Sequence, residues 1–322
     1  MAVINESEPP ILLTGTANSE LARKVGLILG LNVDEPVSYF KGDEVRVRIK
    51  PNLRRKDVFI IQPTSPPKPN DYIMELLTMI DAARRASAGE ITVVLPYYGY
   101  ARQDRKEQPR VPITAALMAN LIKVAGADRI VTLDLHAEQT EGCFGGPWEN
   151  LYASYALIPA IQKMGLLDSV VIAPDRGDFP RAQAFAKRLG LGAKRVALVL
   201  KERDPGSGES RSDSMIGDVN NRDALITDDM ISGSGTIIGA TELAKINGAR
   251  RIVAAVPHGL FFGDALERIE KSQIEKVLIT DTINHRPEVR NFHKIDIVSI
   301  APLLAETIRR IHVGEPLSDL IL

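Results

Sequence analysis

The sequence predicts an α/β fold built from two doubly wound parallel-sheet domains. Short apolar runs rich in β-branched residues alternate with longer stretches of helical period along the chain, as repeated βαβ units require. The strand runs are apolar throughout, which is typical of parallel strands covered by helices on both faces. A length of 322 residues also fits two domains of about 150 residues each.

In the first half, glycine and proline mark where elements end. The spacing of Ile73, Leu76 and Ile80 predicts one helix face, and Gly89 lies where a helix-ending glycine belongs. The predicted elements of this half are the strands Val58–Gln62, Ile91–Leu95 and Arg129–Leu133, the helix Ile73–Ala86, and a helix through Leu117, Leu121 and Val124 that ends at Gly126.

The second half repeats this pattern, with Gly190 and Gly248 as stop signals after two helices. A boundary near Asn150–Ser154 predicts an N-terminal domain over residues 1–152 and a C-terminal domain over residues 153–322. The predicted elements of this half are the strands Val170–Ala173, Val196–Leu200, Ala224–Thr227, Ile252–Val256 and Val277–Thr280 and the helices Pro180–Leu189, Gly235–Ile246 and Pro302–Ile311.

Two stretches break the alternation of strands and helices. Ala101–Val111 is densely charged and has no helical period. Glu202–Ser214 is rich in Gly, Ser, Asp and Pro. Both stretches are predicted to be surface loops, and the second is predicted to be flexible.

Charge and composition exclude several classes of protein. With 40 Lys+Arg against 41 Asp+Glu and 5% aromatic residues, the chain has neither the basic excess nor the stacking surface of a nucleic-acid binder. A single cysteine, Cys143, excludes an internal disulfide and a cysteine-rich metal site, and it fits a reducing cytosol. The sequence shows neither a membrane-length apolar run nor a signal-peptide pattern, so we expect a cytoplasmic protein.

The sharpest motif is Ala224–Thr236, with the sequence ALITDDMISGSGT. An apolar strand ends in Asp228 and Asp229, and a Gly/Ser loop then leads into a helix. Ligands of open α/β sheets bind beyond the carboxyl ends of strands, and a glycine-rich turn into a helix offers backbone N–H groups to a phosphate. Paired carboxylates accept hydrogen bonds from vicinal hydroxyls, so the motif predicts a site for a pentose 5-phosphate.

This motif resembles the phosphoribosyl-binding loop shared by type I phosphoribosyltransferases and ribose-phosphate pyrophosphokinases. Met74–Asp104 resembles the second family, as do GADRIVTLDLHAEQTEG, the NLYAS of Asn150–Ser154 and the TDTI of Thr280–Ile283. The likeness covers nearly the whole chain, including the N-terminal TGTANSELA, whereas phosphoribosyltransferases are usually smaller. The chain is therefore identified as similar to the ribose-phosphate pyrophosphokinases, which implies two domains of the type I phosphoribosyltransferase-like fold.

The resemblance implies transfer of the β,γ-diphosphoryl group of ATP to the 1-hydroxyl of ribose 5-phosphate, with Mg²⁺ as cofactor. The products are phosphoribosyl pyrophosphate and AMP. Matching positions imply Lys201 and Arg203 as catalytic residues and His136 and Asp175 as metal-associated residues. ATP-binding positions are Phe40, Asp43, Glu44, Arg102 and Gln103, and ribose 5-phosphate positions are Asp228, Asp229, Ser232, Gly233, Ser234, Gly235 and Thr236.

Several positions depart from the usual family pattern. Ser232-Gly233 replaces Asp-Thr in the phosphate loop, and Gly42-Asp43-Glu44 replaces Asp-Gly-Glu in the nucleotide loop. Glu202 replaces the middle arginine of Lys-Arg-Arg, and Arg176–Pro180 is bulkier and more charged than the usual small residues. Pro109 replaces a frequent serine near the phosphate/ADP regulatory site and lacks both a hydroxyl and an amide donor, so we do not expect the common phosphate/ADP regulation.

Two alternatives stay open at this stage. Glu202 and the altered loops suggest a non-catalytic homologue that binds nucleotide or a synthetase subunit. The phosphate loop alone also fits a phosphoribosyltransferase. The retained site residues favour the pyrophosphokinase over the first alternative, and the N-terminal domain favours it over the second. The resemblance further implies a homo-oligomer in which dimers assemble into hexamers, with the Phe40 loop completing a neighbour's adenine pocket, and tetramers remain an alternative.

Overall fold

The computed structural model describes residues 9–166, 168–192, 195–203 and 210–321. The side chains of residues 201–203, 210–213 and 321 lie outside this description. The chain divides into two compact units. The first unit comprises Met1–Tyr152, Thr282–Asn284 and Ser299–Leu322, and the second comprises Ala153–Asp281 and His285–Val298.

The C-terminal segment corrects the expected domain limits. We expected residues 153–322 to form one domain, whereas Ser299–Leu322 folds with the first unit. The physical reason is helix packing, because the helix Ala301–Val313 packs against the helix Ser19–Leu29. In addition, His312 Nδ1 lies 2.7 Å from Asp57 Oδ2.

Regular structure up to residue 151 is largely apolar strands and amphipathic helices. A 3₁₀ helix also spans Glu138–Cys143. The elements, in chain order, are β1 (Ile11–Thr14), α1 (Ser19–Leu29), β2 (Val33–Asp34), β3 (Val37–Tyr39), β4 (Val45–Val47), β5 (Val58–Ile61), α2 (Pro69–Arg85), β6 (Ile91–Leu95), α3 (Thr114–Ala125), β7 (Arg129–Leu133) and β8 (Trp148–Leu151).

The elements after residue 151 follow the same alternation. They are α4 (Ser154–Lys163), β9 (Ser169–Ala173), α5 (Phe179–Arg188), β10 (Val196–Arg203), β11 (Ser210–Ile216), β12 (Asp223–Thr227), β13 (Met230–Ile231), α6 (Gly235–Ile246), β14 (Ile252–Ala255), β15 (His258–Gly259), α7 (Ala265–Lys271), β16 (Lys276–Thr280), α8 (Pro287–Arg290), β17 (Ile295–Val298), α9 (Ala301–Val313) and α10 (Ser318–Ile321).

The first unit contains a six-stranded parallel sheet in the order β2-β1-β5-β6-β7-β8. The central strands β5 and β6 are buried along their whole length, as expected for strands covered on both faces. The order of strands reverses between β1 and β5, so successive connections run in opposite directions from that point. This arrangement confirms the predicted doubly wound α/β class.

The second unit contains a seven-stranded sheet in the order β11-β10-β9-β12-β14-β16-β17. All neighbouring pairs are parallel except β10 and β11. The strand order reverses between β9 and β12. The two units therefore place their reversal points at equivalent positions, next to the first strand of each sheet.

The prediction of a loop over Glu202–Ser214 is wrong for most of the residues of this stretch that the structure describes. β10 continues to Arg203, and β11 pairs with it antiparallel, with Lys201 opposite Ser212 and Arg203 opposite Ser210. Residues 204–209 lie outside the described residues. Main-chain pairing defines β11 at the edge of the sheet, whereas its serine-rich sequence has the composition of a loop.

The apolar residues whose spacing predicts α3 lie on the solvent-exposed side of the helix. Leu117, Leu121 and Val124 are exposed, while Ala115 and Ile122 are buried. The buried face of the helix consists of Ala115, Ala119 and Ile122, which belong to the apolar core of the first unit.

Among the described residues, no helix has the length and apolar character needed to cross a bilayer.

Gly99 lies at a close approach between the ends of β5 and β6. A Cβ atom at this position would lie 2.2 Å from the Thr64 backbone oxygen, and the Gly99 N–H donates to Thr64 Oγ1 at 2.7 Å. Gly99→Ala should therefore reduce the free energy of unfolding by about 2 kcal/mol through overpacking. Gly142→Ala is the control, because a Cβ atom there meets nothing within 4 Å. Equal urea midpoints for the two variants would contradict the prediction.

Candidate functional site

Polar side chains collect at the strand-order reversal of the second unit. β9 ends at Ala173 and β12 ends at Thr227, and the two strands are neighbours in the sheet. Asp178 follows β9 at the start of α5, and Asp228 and Asp229 follow β12 directly. Reversal points of open α/β sheets are where ligands bind, because the connections leave a crevice there.

Three carboxylates form one cluster at this crevice. Asp178, Asp228 and Asp229 each offer an oxygen, and these oxygens lie within 4.8 Å of one another. The side chains are largely withdrawn from water, with Asp228 only 7% and Asp229 only 5% exposed. The Asp229 N–H donates to Asp228 Oδ1 at 2.8 Å. Three negative charges so close together repel each other unless a proton or a cation is held between them.

Burial raises the pKa of Asp228 well above its usual value, and the charges of Asp178 and Asp229 raise it further. Burial likewise raises the pKa of Asp178 to about 6. Arg181 Nε lies 3.5 Å from Asp178 Oδ1 and opposes this shift without cancelling it. The cluster therefore favours binding of protons, hydroxyl donors or a divalent cation.

Asp175 lies next to this cluster, in the turn between β9 and α5. Its Oδ1 accepts hydrogen bonds from the backbone N–H groups of Gly177 at 2.9 Å and Asp178 at 3.3 Å. The sequence analysis selected Asp175 and missed Asp178 as a site residue. The sequence did contain a signal for Asp178, because this residue lies in the same strand-to-helix turn as Asp175. The sequence analysis noted it only as part of Arg176–Pro180, where the family usually has small residues.

The loop from Ser232 to Thr236 connects β13 to α6. Ser234 has a left-handed backbone conformation (φ 61°), and its buried Oγ has no hydrogen-bond partner among the described residues. Arg268 donates from Nη1 to the Gly233 backbone oxygen at 3.1 Å, a contact that the sequence analysis missed. α6 begins at Gly235, so the N–H groups of its first turn are available to an anion.

Lys201 and Arg203 lie in β10, two residues apart. This position corrects the expectation that they open a flexible loop. Their side chains lie outside the described part of the structure.

In the first unit, candidate residues follow the neighbouring strands β6 and β7. Arg102 is exposed, whereas Gln103 is partly buried and its Oε1 accepts a hydrogen bond from Thr114 Oγ1 at 3.1 Å. Gln139, after β7, donates from Nε2 to Asp104 Oδ2 at 2.9 Å. This contact joins the Arg102 loop to the segment that follows β7.

His136 lies in this second segment, three residues after β7 ends at Leu133. Its side chain is exposed, whereas the preceding Asp134 is buried and has a left-handed backbone conformation (φ 45°). A positive φ in a non-glycine residue at a strand end marks a sharp turn. The N–H groups of Asp134 and Leu135 still bond to Leu151 and Asn150 of β8, so His136 follows a segment that remains attached to the sheet.

The remaining nucleotide candidates lie on the turn of the β3–β4 hairpin. Asp43 N donates to the Phe40 backbone oxygen at 3.2 Å, and Phe40 N donates to the Glu44 oxygen at 2.9 Å. Gly42 (φ 100°) and Asp43 (φ 64°) both adopt positive φ values. Phe40 is 53% exposed, with the Arg46 guanidinium 5.3 Å from its ring centroid. The turn thus presents an aromatic face and two carboxylates at the surface of the first unit.

The raised pKa of Asp178 makes stability depend on pH. Since the folded protein holds this proton up to about pH 6 and the unfolded chain releases it near its usual 3.8, the wild type loses stability as pH rises between these values. Asp178→Asn removes this loss. In metal-free protein, the variant's unfolding free energy should gain about 2 kcal/mol on the wild type between pH 4 and 6, and the gain should level off above about pH 7.

Chemical denaturation at several pH values measures this difference. Asp81→Asn, which removes an exposed carboxylate on α2, controls for the loss of a surface charge. A constant difference between Asp178→Asn and the wild type across this pH range would show that the cluster does not hold the proton.

Comparison with known proteins identifies related sequences. Residues 10–126 match the N-terminal domain of ribose phosphate pyrophosphokinase, and residues 208–322 match the phosphoribosyl synthetase-associated domain. A ribose-phosphate pyrophosphokinase of Chlorobaculum tepidum is 44% identical over 316 residues, covering 97% of this chain and 95% of that protein. Ribose-phosphate pyrophosphokinase A of Dictyostelium discoideum is 42% identical over 310 residues, covering 96% of each.

The fold agrees with a solved structure. The crystal structure of phosphoribosylpyrophosphate synthetase from Mycobacterium smegmatis superimposes with a TM-score of 0.86 at 36% sequence identity. The match covers 95% of this chain and 100% of that one. The expected phosphoribosyltransferase-like class of two parallel-sheet domains is consistent with this likeness.

Proposed function

This chain belongs to the ribose-phosphate pyrophosphokinase family, and from that premise we propose that it transfers the β,γ-diphosphoryl group of ATP to the 1-hydroxyl of ribose 5-phosphate. The products are AMP and phosphoribosyl pyrophosphate. The observation that carries the proposal is the placement of Asp228 and Asp229, buried at the strand-order reversal and followed directly by a Gly/Ser loop and a helix start.

On the sugar side, we propose that Asp228 and Asp229 accept hydrogen bonds from the 2- and 3-hydroxyls of ribose. The 5-phosphate binds the backbone N–H groups of the loop from Ser232 to Thr236. Two properties support this division of roles. Both carboxylates are buried, so hydroxyl donors replace the water that these groups have lost, and helix N-termini favour anions.

On the nucleotide side, we propose that Arg102 contacts the phosphates of ATP and Gln103 contacts the nucleotide. Phe40 stacks on adenine, while Asp43 and Glu44 accept from the base amino group or ribose. The exposed ring of Phe40 supports a role at a surface that another molecule covers. By resemblance to the family, that molecule is nucleotide bound by a neighbouring subunit of a homo-oligomer, with a dimer as the building unit and a hexamer favoured.

Lys201 and Arg203 are the proposed catalytic residues. The transferred group carries charge on its phosphoryl oxygens, which spreads further in the transition state. A lysine and an arginine supply positive charge that stabilises these oxygens in the transition state. Glu202 replaces only the middle position of the family's Lys-Arg-Arg, so the two outer positive charges are retained in the sequence.

Mg²⁺ is the proposed cofactor, with His136 and Asp175 as its associated residues and ATP phosphates as its main ligands. When bound, it neutralises phosphate charge and holds the phosphates in a reactive orientation. Carboxylate oxygens suit this hard cation, and the cluster of Asp178, Asp228 and Asp229 fits the same chemistry. A cytoplasmic location is proposed with the function, since its substrates are intracellular metabolites.

Formation of AMP from Mg·ATP and ribose 5-phosphate tests the function. We expect AMP and phosphoribosyl pyrophosphate in equal amounts, with and without added inorganic phosphate. A phosphoribosyltransferase would instead consume phosphoribosyl pyrophosphate together with a nucleobase. A non-catalytic homologue would bind ATP without producing AMP, and absence of AMP under all these conditions would exclude the proposed activity.

Lys201→Ala tests the catalytic assignment. We expect kcat to fall by about 10²–10³-fold, because removal of one preorganised charge partner of a transition state has this effect. The thermal midpoint should stay close to that of the wild type. Lys187→Ala, which removes an exposed lysine of α5 in the same unit, should keep near-normal turnover. A similar kcat for both variants would remove Lys201 from the catalytic role.

A further inference from the structure

The β3–β4 hairpin, which carries the Phe40–Glu44 turn, has no main-chain pairing with the large sheet of its unit among the described residues. Its two strands pair only with each other, with Val37 opposite Val47 and Tyr39 opposite Val45. Val37 and Val47 pack against the apolar core. Apolar packing alone is non-directional, so a hydrogen-bonded contact is needed to fix the base of the turn.

Such a contact is provided by Glu75, a carboxylate of α2 that has no exposed surface. Its Oε2 accepts from Thr16 N and Gln62 Nε2, each at 2.8 Å. Its Oε1 accepts from Thr16 Oγ1 at 2.5 Å and from the Tyr39 hydroxyl. Thr16 follows β1 and Gln62 follows β5, so Glu75 occupies the strand-order reversal of the first unit.

The carboxylate of Glu75 is held in place by packing as well as by hydrogen bonds. A Cβ atom at Gly15 would lie 2.5 Å from Glu75 Oε2 and 2.6 Å from Gln62 Nε2. The backbone of Gly15 therefore approaches the pair as closely as a glycine permits. A buried carboxylate with four hydrogen-bond donors and close backbone packing has a fixed position. It therefore also fixes the position of each group that donates to it.

Tyr39 connects the Glu75 carboxylate to the turn, because it bonds to this carboxylate and directly precedes Phe40 in the chain. Burial, followed by the hydrogen bond to and the charge of the Glu75 carboxylate, raises the pKa of the Tyr39 hydroxyl to about 12, so the hydroxyl keeps its proton and donates. Tyr39 is 43% exposed. The donors from Thr16 and Gln62 bind Glu75 independently of the hairpin, so the fourth donor contributes mainly to hairpin position.

We propose that Glu75 is a positioning residue for the nucleotide, acting through Tyr39 to fix the turn that presents Phe40, Asp43 and Glu44. This inference rests on the proposed function, since it assumes that the turn contacts ATP. The contact with Glu75 sets the direction in which the Phe40 ring leaves β3. Without it, the hairpin keeps its strand pairing and its apolar packing but samples several orientations, and a binding site populated for only part of the time has a weaker apparent affinity.

Tyr39→Phe is the central test, because it removes the hydroxyl and leaves the ring. We expect Mg·ATP to bind about five- to tenfold more weakly by calorimetry and its KM to rise by a similar factor. KM for ribose 5-phosphate and kcat at saturating ATP should be unchanged. A merely structural role would lower the amount of active protein, and hence kcat, without changing KM for ATP.

Thr307→Val is the control in the same unit. It removes a buried hydroxyl of α9 that donates to the Leu303 backbone oxygen at 2.9 Å, in a helix that carries no proposed nucleotide contact. Its ATP affinity should stay at the wild-type value. Equal ATP affinity in Tyr39→Phe and the wild type overturns the inference, as does an equal loss of affinity in both variants.

Glu75→Gln, provided that the variant folds, allows a second measurement of ATP binding. A glutamine keeps one acceptor oxygen, so adding Tyr39→Phe to the Glu75→Gln variant should weaken ATP binding less than adding it to the wild type. Full additivity of the two changes would show that Tyr39 does not act through Glu75. The single Tyr39→Phe variant decides the question if Glu75→Gln does not fold.

The calorimetric measurement separates this inference from the proposed function. Binding of Mg·ATP that depends on Tyr39, in a wild type that forms no AMP, would support the positioning role and exclude the activity. A wild type that forms AMP while Tyr39→Phe retains full ATP affinity would exclude only the positioning role. A wild type that does not bind Mg·ATP would overturn both.

Discussion

A carboxylate buried where the strand order reverses is the feature around which each unit is organised. In the first unit, Glu75 occupies this point and receives four hydrogen bonds from Thr16, Gln62 and Tyr39. In the second unit, Asp228 occupies the equivalent point beside Asp178 and Asp229. The same topology thus creates the same kind of crevice twice, and the difference lies in what satisfies the buried charge. Burial of an ion is unfavourable unless donors or counter-charges compensate for it.

This difference separates a structural role from a binding role. The charge of Glu75 is compensated by the protein's own donors, so it serves to hold neighbouring segments in place. At the second crevice, Arg181 opposes the rise in the pKa of Asp178 without cancelling it, and the pKa values of Asp178 and Asp228 both stay raised. Sites that keep carboxylates close together and poorly solvated bind hydroxyl donors and cations strongly, because binding relieves the repulsion. The repulsion between these carboxylates lowers the stability of the second unit, as expected where a site is built to bind a ligand rather than to stabilise the fold.

The sequence predicted the elements whose signals are local. Apolar strands such as Ile91–Leu95 and helices such as Gly235–Ile246 were located to within a residue, because burial on both faces and helical period are visible in the residues themselves. β11 was missed because strand pairing at a sheet edge can hold a serine-rich segment without apolar side chains. Ser299–Leu322 was assigned to the wrong unit because chain order does not show that α9 packs on α1. Asp178 was seen only as a departure from small residues, since its proximity to Asp228 is a contact between distant parts of the sequence.

Local patterns in the chain were therefore enough to establish the fold class and the family, and to predict which residues after each strand carry the proposed chemistry. These patterns depend only on neighbouring residues and on which strand ends meet at one edge of a sheet. Which of those polar groups are satisfied became visible only in the folded molecule. There Glu75, to which the sequence analysis assigned no role, anchors the Phe40 hairpin through Tyr39, and Asp178 joins the pair Asp228 and Asp229. The physical reason is that hydrogen-bond satisfaction and charge repulsion act over a few ångströms in space, and residues far apart in the chain come within that range only after folding.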